Sequence, residues 1–134
     1  MKKITFLIII QFIFLCCSDN STNTISDSLI GKWQRIKETT ISSLGTNIRN
    51  SDTVGWDNII MTFYNDGTFV QGGDVNRSGT YEVTGNELVL ANPNNDYSET
   101  VTFEIDNDIL RISGSYFDDD LGENIQVISE WQKI

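Results

Sequence analysis

Tyr81-Glu82-Val83-Thr84-Gly85-Asn86-Glu87-Leu88-Val89-Leu90 carries a Gly-Asn pair between two runs of β-forming residues. Taking Gly85-Asn86 as a two-residue turn sets Val83 opposite Leu88 and Tyr81 opposite Leu90 on one face. Glu82 and Val89 fall on the other. Glycine in the first central position suits a type II′ turn, whose twist matches that of paired strands. The stretch therefore predicts an antiparallel hairpin with one apolar face.

The same pattern recurs on either side. Towards the C-terminus, Asn107-Asp108 as a turn pairs Ile105 with Leu110 and Phe103 with Ile112. It also sets Glu104 against Arg111 on the outer face, so apolar and charged pairs agree on one register. Towards the N-terminus, Asn65-Asp66-Gly67 admits two turns. A two-residue loop faces Phe63 with Val70, and a three-residue loop with Gly67 left-handed faces Phe63 with Phe69. The second gathers Met61, Phe63 and Phe69 on one face and is preferred. Strands are expected over about Ile30 to Ile41, Asn58 to Tyr64 and Asn124 to Ile134, with Ser42 to Asp57 as a long polar link and Asn92 to Asp96 as a short one. Ile125, Val127 and Trp131 share a face of the last strand, which can close against the first near Trp33. Gly31 lets the backbone pass close to a neighbour there, and the Trp33 indole plugs the end. The fold class expected is all-β: a small eight-stranded antiparallel up-and-down barrel, closed so that no edge is exposed.

Composition narrows the function. The chain has 134 residues, no His, and two Cys that are adjacent at Cys16 and Cys17. No distant loop can be stapled, so apolar packing must hold a single domain. Lack of His removes the commonest general base and a common metal ligand. The net charge of −10 repels nucleic acid and anionic membrane faces, so a nucleic-acid role is excluded. Cleavage of the export segment would remove Lys2 and Lys3 and no acid, leaving the chain more acidic still.

That export segment is Lys2-Lys3 followed by the apolar run Ile4 to Leu15, too short for a stable span. It ends at Phe14-Leu15-Cys16-Cys17 and turns polar at once. The boundary resembles the lipobox of bacterial lipoproteins, with Cys16 as the small residue before the cut and Cys17 as the lipidated one. Ser18-Asp19-Asn20 resembles the acidic surface-export tag of some Gram-negative outer-membrane lipoproteins. Asp27-Ser28-Leu29 and Asp52-Thr53-Val54 resemble short O-glycan acceptor sites in such bacteria. Residues 1–16 are thus expected to be a signal peptide, 17–28 the lipidated Cys and a flexible tether, and 29–134 the barrel. The resemblance implies lipid anchorage in the outer membrane, displayed at the cell surface.

The body resembles the lipocalin-like domain of small bacterial lipoproteins. The resemblance rests on Leu29-Ile30-Gly31-Lys32-Trp33, Phe63-Tyr64-Asn65-Asp66-Gly67-Thr68-Phe69, Gly79-Thr80-Tyr81-Glu82-Val83, Glu87-Leu88-Val89-Leu90, Ile109-Leu110-Arg111-Ile112 and Trp131-Gln132-Lys133-Ile134. It implies an extracytoplasmic barrel and no particular reaction. In lipocalins an Arg from the closing strands covers the first-strand Trp. Here Arg111 is expected outside and only Lys133 is on offer, which argues against a deep, sealed cup.

The inward set would include Trp33, Met61, Phe63, Phe69, Tyr81, Phe103 and Trp131, with Trp56 in the long link as a rim aromatic. These residues line a pocket for a small apolar ligand, or they fill the barrel and leave the loops to dock a protein or glycan. The acidic run Asp118 to Asn124 lacks the ligand order of an EF-hand and reads as a solvated loop. No nucleophile elbow, phosphate loop or cofactor motif is present, so neither a cofactor nor an enzyme activity is expected.

Overall fold

The computed structural model describes residues 27–50, 58–73, 76–92, 94 and 96–134. Cys16, Cys17, the signal segment, most of the tether and Trp56 lie outside them, as do Asp52-Thr53-Val54. Nine strands follow in chain order: β1 Gly31–Ser42, β2 Gly45–Asn50, β3 Ile60–Phe63, β4 Thr68–Gly72, β5 Arg77–Thr84, β6 Glu87–Asn92, β7 Tyr97–Asp106, β8 Ile109–Asp118 and β9 Glu123–Lys133. All described pairings are antiparallel. Strands β1 and β3 to β9 pair in sequence, and β9 returns to β1, closing an eight-stranded barrel. Among the described residues no helix is long and apolar enough to cross a membrane.

The hairpin registers follow the side-chain alternation. Tyr81 pairs with Leu90 and Val83 with Leu88, and Gly85 is left-handed at φ 62°. Ile105 pairs with Leu110, Phe103 with Ile112 and Glu104 with Arg111, and the last two form an ion pair on the outer surface. Phe63 faces Phe69, as the three-residue loop requires, with Gly67 at φ 81°. That loop is capped by Asp66, whose carboxylate accepts from the Thr68 amide at 3.0 Å and its hydroxyl at 2.6 Å. These hydrogen bonds hold the Asp66 carboxyl below its ordinary value of 3.8. The sign follows: the cap stabilises the fold above that ordinary value and is lost as pH falls below it. The difference in urea midpoint between the protein and Asp66→Asn is expected to be full near neutrality and to vanish in stronger acid. A difference that does not change with pH would mean the carboxylate charge plays no part.

The closed end is built on Trp33, which is fully buried with Leu29, Phe63, Phe69 and Leu110. The indole N–H donates to the Leu29 carbonyl at 2.8 Å. Phe63 meets Tyr81 edge-on with ring centroids 5.0 Å apart. Lys133 lies with its ammonium 5.1 Å from the Trp33 ring centre. Lys133, the one cation the last strand offers for this position, thus covers the indole by a cation–π contact. Gly31 makes it possible. Its φ is 132°, and a Cβ there would come within 3.2 Å of the Lys133 side chain.

The expectation of a long link is corrected. Part of it is β2, which pairs with the second half of β1 from Lys37↔Asn50 to Ser42↔Gly45. Strand β1 changes neighbours along one edge: its first residues pair with β3 and its last with β2. A register shift between Arg35 and Lys37 marks the change, as a bulge bends a strand and strengthens its twist. The far halves of β8, β9 and β1, with β2, therefore project beyond the barrel as a four-stranded finger. Ser43 ties the β1–β2 turn to Glu123 on β9 through amide and hydroxyl, at 2.9 and 2.8 Å.

Candidate functional site

The barrel parts on one side. Strands β7 and β8 pair only over Thr102–Asp106 and Ile109–Ser113. Beyond that, the start of β7 follows β6 and the end of β8 follows β9. The gap opens into a cleft of about 240 Å³ at the end opposite Trp33. Its apolar lining includes Met61, Leu90, Val101, Ile112, Val127 and Trp131. All but Val127 are buried.

Two arginine clusters stand on this apolar lining. Arg77, at the start of β5, donates to Tyr97 Oη at 2.6 Å and to Gln71 Oε1 at 2.9 Å. Glu99 lies 3.5 Å from the same guanidinium. Gln71 is the buried polar side chain of the described interior, at 4 % exposure. The Nε of Arg77 is buried without a hydrogen-bond partner among the described residues. Burial first, then the hydrogen bond and charge of Glu99, push the Tyr97 phenol well above its ordinary range, while Arg77 acts the other way. Tyr97 therefore keeps its proton, and its oxygen can accept from Arg77 while its hydroxyl donates to Glu99. On the β1 side, Arg35 pairs with Glu38 at 3.0 Å and lies 5.8 Å from the Trp131 ring centre. The Trp131 indole donates to Ser129 Oγ at 2.8 Å.

The sequence-expected residues divide between two places. Met61 and Trp131 line the cleft. Trp33, Phe63, Phe69 and Tyr81 form the packed lower half, and Phe103 is half-buried against it. Trp56 lies outside the described residues. The polar and charged members Arg35, Glu38, Gln71, Arg77 and Glu99 were not singled out from sequence. Most were nonetheless legible there: Arg35, Gln71, Arg77 and Glu99 continue the inward alternation of Trp33, Phe69, Tyr81 and Val101 towards the open end.

Asp118 turns out to be a turn cap, its carboxylate accepting from the amides of Asp120 and Leu121 at 3.0 Å each. No group of three or more potential metal ligands occurs among the described residues.

Fold and site together define a small closed eight-stranded antiparallel barrel, packed solid at one end and cleft at the other. No family model matches the chain, and no curated protein matches it as a relative.

Proposed function

We propose that the chain is a lipid-anchored, non-catalytic outer-membrane lipoprotein whose lipocalin-like barrel binds a small molecule at its open end. The cleft beside Met61, Leu90 and Trp131 carries this reading. Its apolar surface favours a ligand by burial, and its few placed polar groups favour orientation. The cation over Trp33 supports the lipocalin-like assignment, with Lys133 in the role an arginine holds in that family. Ser28 and Leu29 enter at the closed end, beside Lys133 and Trp33. A lipid on Cys17 would then tether the barrel from its closed end.

Two experiments test the parts separately. Cys17→Ala is expected to move the protein from the membrane to the soluble fraction, with Cys16→Ala remaining bound. The reverse result would assign the lipid to Cys16. For the cleft, the full chain in lipid nanodiscs should take up a neutral apolar fluorophore saturably, one to one, above the background of empty discs. Val127→Trp, which fills the cleft, should abolish that uptake without lowering the melting temperature. Uptake unchanged in this variant would place the ligand elsewhere.

A second reading, docking of a protein through the loops, is favoured by the finger. Ile41, Leu44, Ile48, Phe117 and Leu121 are all exposed there, and exposed apolar side chains gathered on one element favour an interaction surface. Failure of the uptake experiment would shift the assignment to this surface.

A further inference from the structure

We propose that the ligand is a small zwitterion with an apolar side chain, of the class of a single α-amino acid. This rests on the cleft being the binding site and concerns what it selects. The first observation is size. At about 240 Å³ the cleft lies below the roughly 300–1,000 Å³ of pockets that enclose drug-sized ligands. The packed aromatics beneath leave no channel for a long acyl chain, since Phe63, Phe69 and Trp33 are essentially unexposed.

The second observation is charge. The lining holds two cations and two anions, one pair on each wall: Arg35 with Glu38, and Arg77 with Glu99. A wholly apolar occupant would gain only its contact with Met61, Leu90 and Trp131 and would give the four charges no partner. A singly charged occupant would meet two like charges along with two opposite ones. A molecule bearing both a carboxylate and an ammonium gives each sign a partner, in charge-assisted hydrogen bonds.

The two walls also differ. Arg77 is held by two uncharged acceptors, Gln71 and Tyr97, and its ion pair with Glu99 is open at 3.5 Å. Arg35 and Glu38 are in closer contact at 3.0 Å. The carboxylate of the ligand therefore goes to Arg77, where a cation is least neutralised. The ammonium, bonded to the same carbon as the carboxylate, goes to Glu99, the anion of that open pair. The apolar side chain lies on Met61, Leu90 and Trp131.

The test edits the ligand and leaves the protein unchanged. Calorimetry on the full chain in nanodiscs would compare L-leucine with 4-methylpentanoate, which lacks the ammonium, and with 3-methylbutylamine, which lacks the carboxylate. The neutral 4-methyl-1-pentanol completes the set. Leucine is expected to bind tightest, with either singly charged analogue roughly tenfold to a hundredfold weaker, the loss of one charged hydrogen-bonding group. Arg77→Gln should bring leucine down to the affinity of 3-methylbutylamine and leave the alcohol unaffected. Equal or tighter binding of 4-methylpentanoate would overturn the proposal in favour of an anion site. Binding of the alcohol or the fluorophore with no preference for leucine would overturn it while the cleft remains a ligand site. No binding by any of the set, the fluorophore included, would overturn both.

Discussion

Trp33→Ala should remove about 3–5 kcal/mol of folding stability, the range for deleting a large buried aromatic. The indole is 0 % exposed and plugs the closed end. Its loss leaves a void among Leu29, Phe63 and Leu110 that the surrounding strands cannot collapse to fill, because β1, β3 and β9 are fixed by their ladders. It also leaves the Leu29 carbonyl without its donor and Lys133 without the ring beneath its ammonium. Domains of this size hold about 5–15 kcal/mol in total, so the variant is expected to be partly unfolded at physiological temperature. Trp33→Phe separates the terms, since it keeps much of the volume and loses the hydrogen bond. It should cost about 1–3 kcal/mol, the desolvation penalty of an unpaired carbonyl. Urea midpoints at unchanged slope would measure both. A Trp33→Ala loss of under about 1 kcal/mol would mean the plug is dispensable and the lower half is held by the ladders alone.

The strands that enclose this plug were readable because each has one buried face. Tyr81, Val83, Leu88 and Leu90 are all nearly unexposed while Glu82 and Glu87 face water, and only one register of the Gly85-Asn86 hairpin achieves that. β2 gave no such signal. All six of its residues are exposed, so Gly45 to Asn50 has no face to bury and no alternation to show. Its pairing comes from the bend in β1, a tertiary event. Glu38 was hidden for the same reason. The register shift after Arg35 moves every later β1 residue by one position, so strict alternation from Trp33 would send Lys37 inward in its place.

The cleft was half legible. Aromatic residues drew attention to the solid end, because size and apolarity mark a core whether or not a ligand exists. The chemistry sits two to four residues further along the same inward rows, at Arg35, Gln71, Arg77 and Glu99. A polar residue at an inward position is the more informative observation, since burying it requires a partner. That the partners would be one another, as in Gln71–Arg77–Tyr97, depends on three strands meeting at one mouth. No local pattern carries that.

Gly79→Ala should be as damaging as the loss of the plug, for the opposite reason. Gly79 lies on β5 opposite Phe69, at a point where β6 crosses closely. A Cβ there would stand 1.9 Å from the Ala91 carbonyl oxygen and 2.8 Å from its carbon, whereas real Cβ atoms essentially never approach within 3.0 Å. The obstacle is backbone. Ala91 is held by pairing with Thr80 on one side and Ser98 on the other, so it cannot yield without tearing both ladders. The expected loss is about 3 kcal/mol or more, at the upper end for overpacking. Gly85→Ala is the matched comparison. Gly85 is left-handed at φ 62° with open space around it, so an added methyl meets only the backbone strain of about 1–2 kcal/mol. Strain and collision are thus separated within one hairpin. Should the two variants unfold at the same urea concentration, the close crossing of β5 and β6 would not exist in solution. The wall that carries Arg77 and Leu90 into the cleft would then have to be drawn differently.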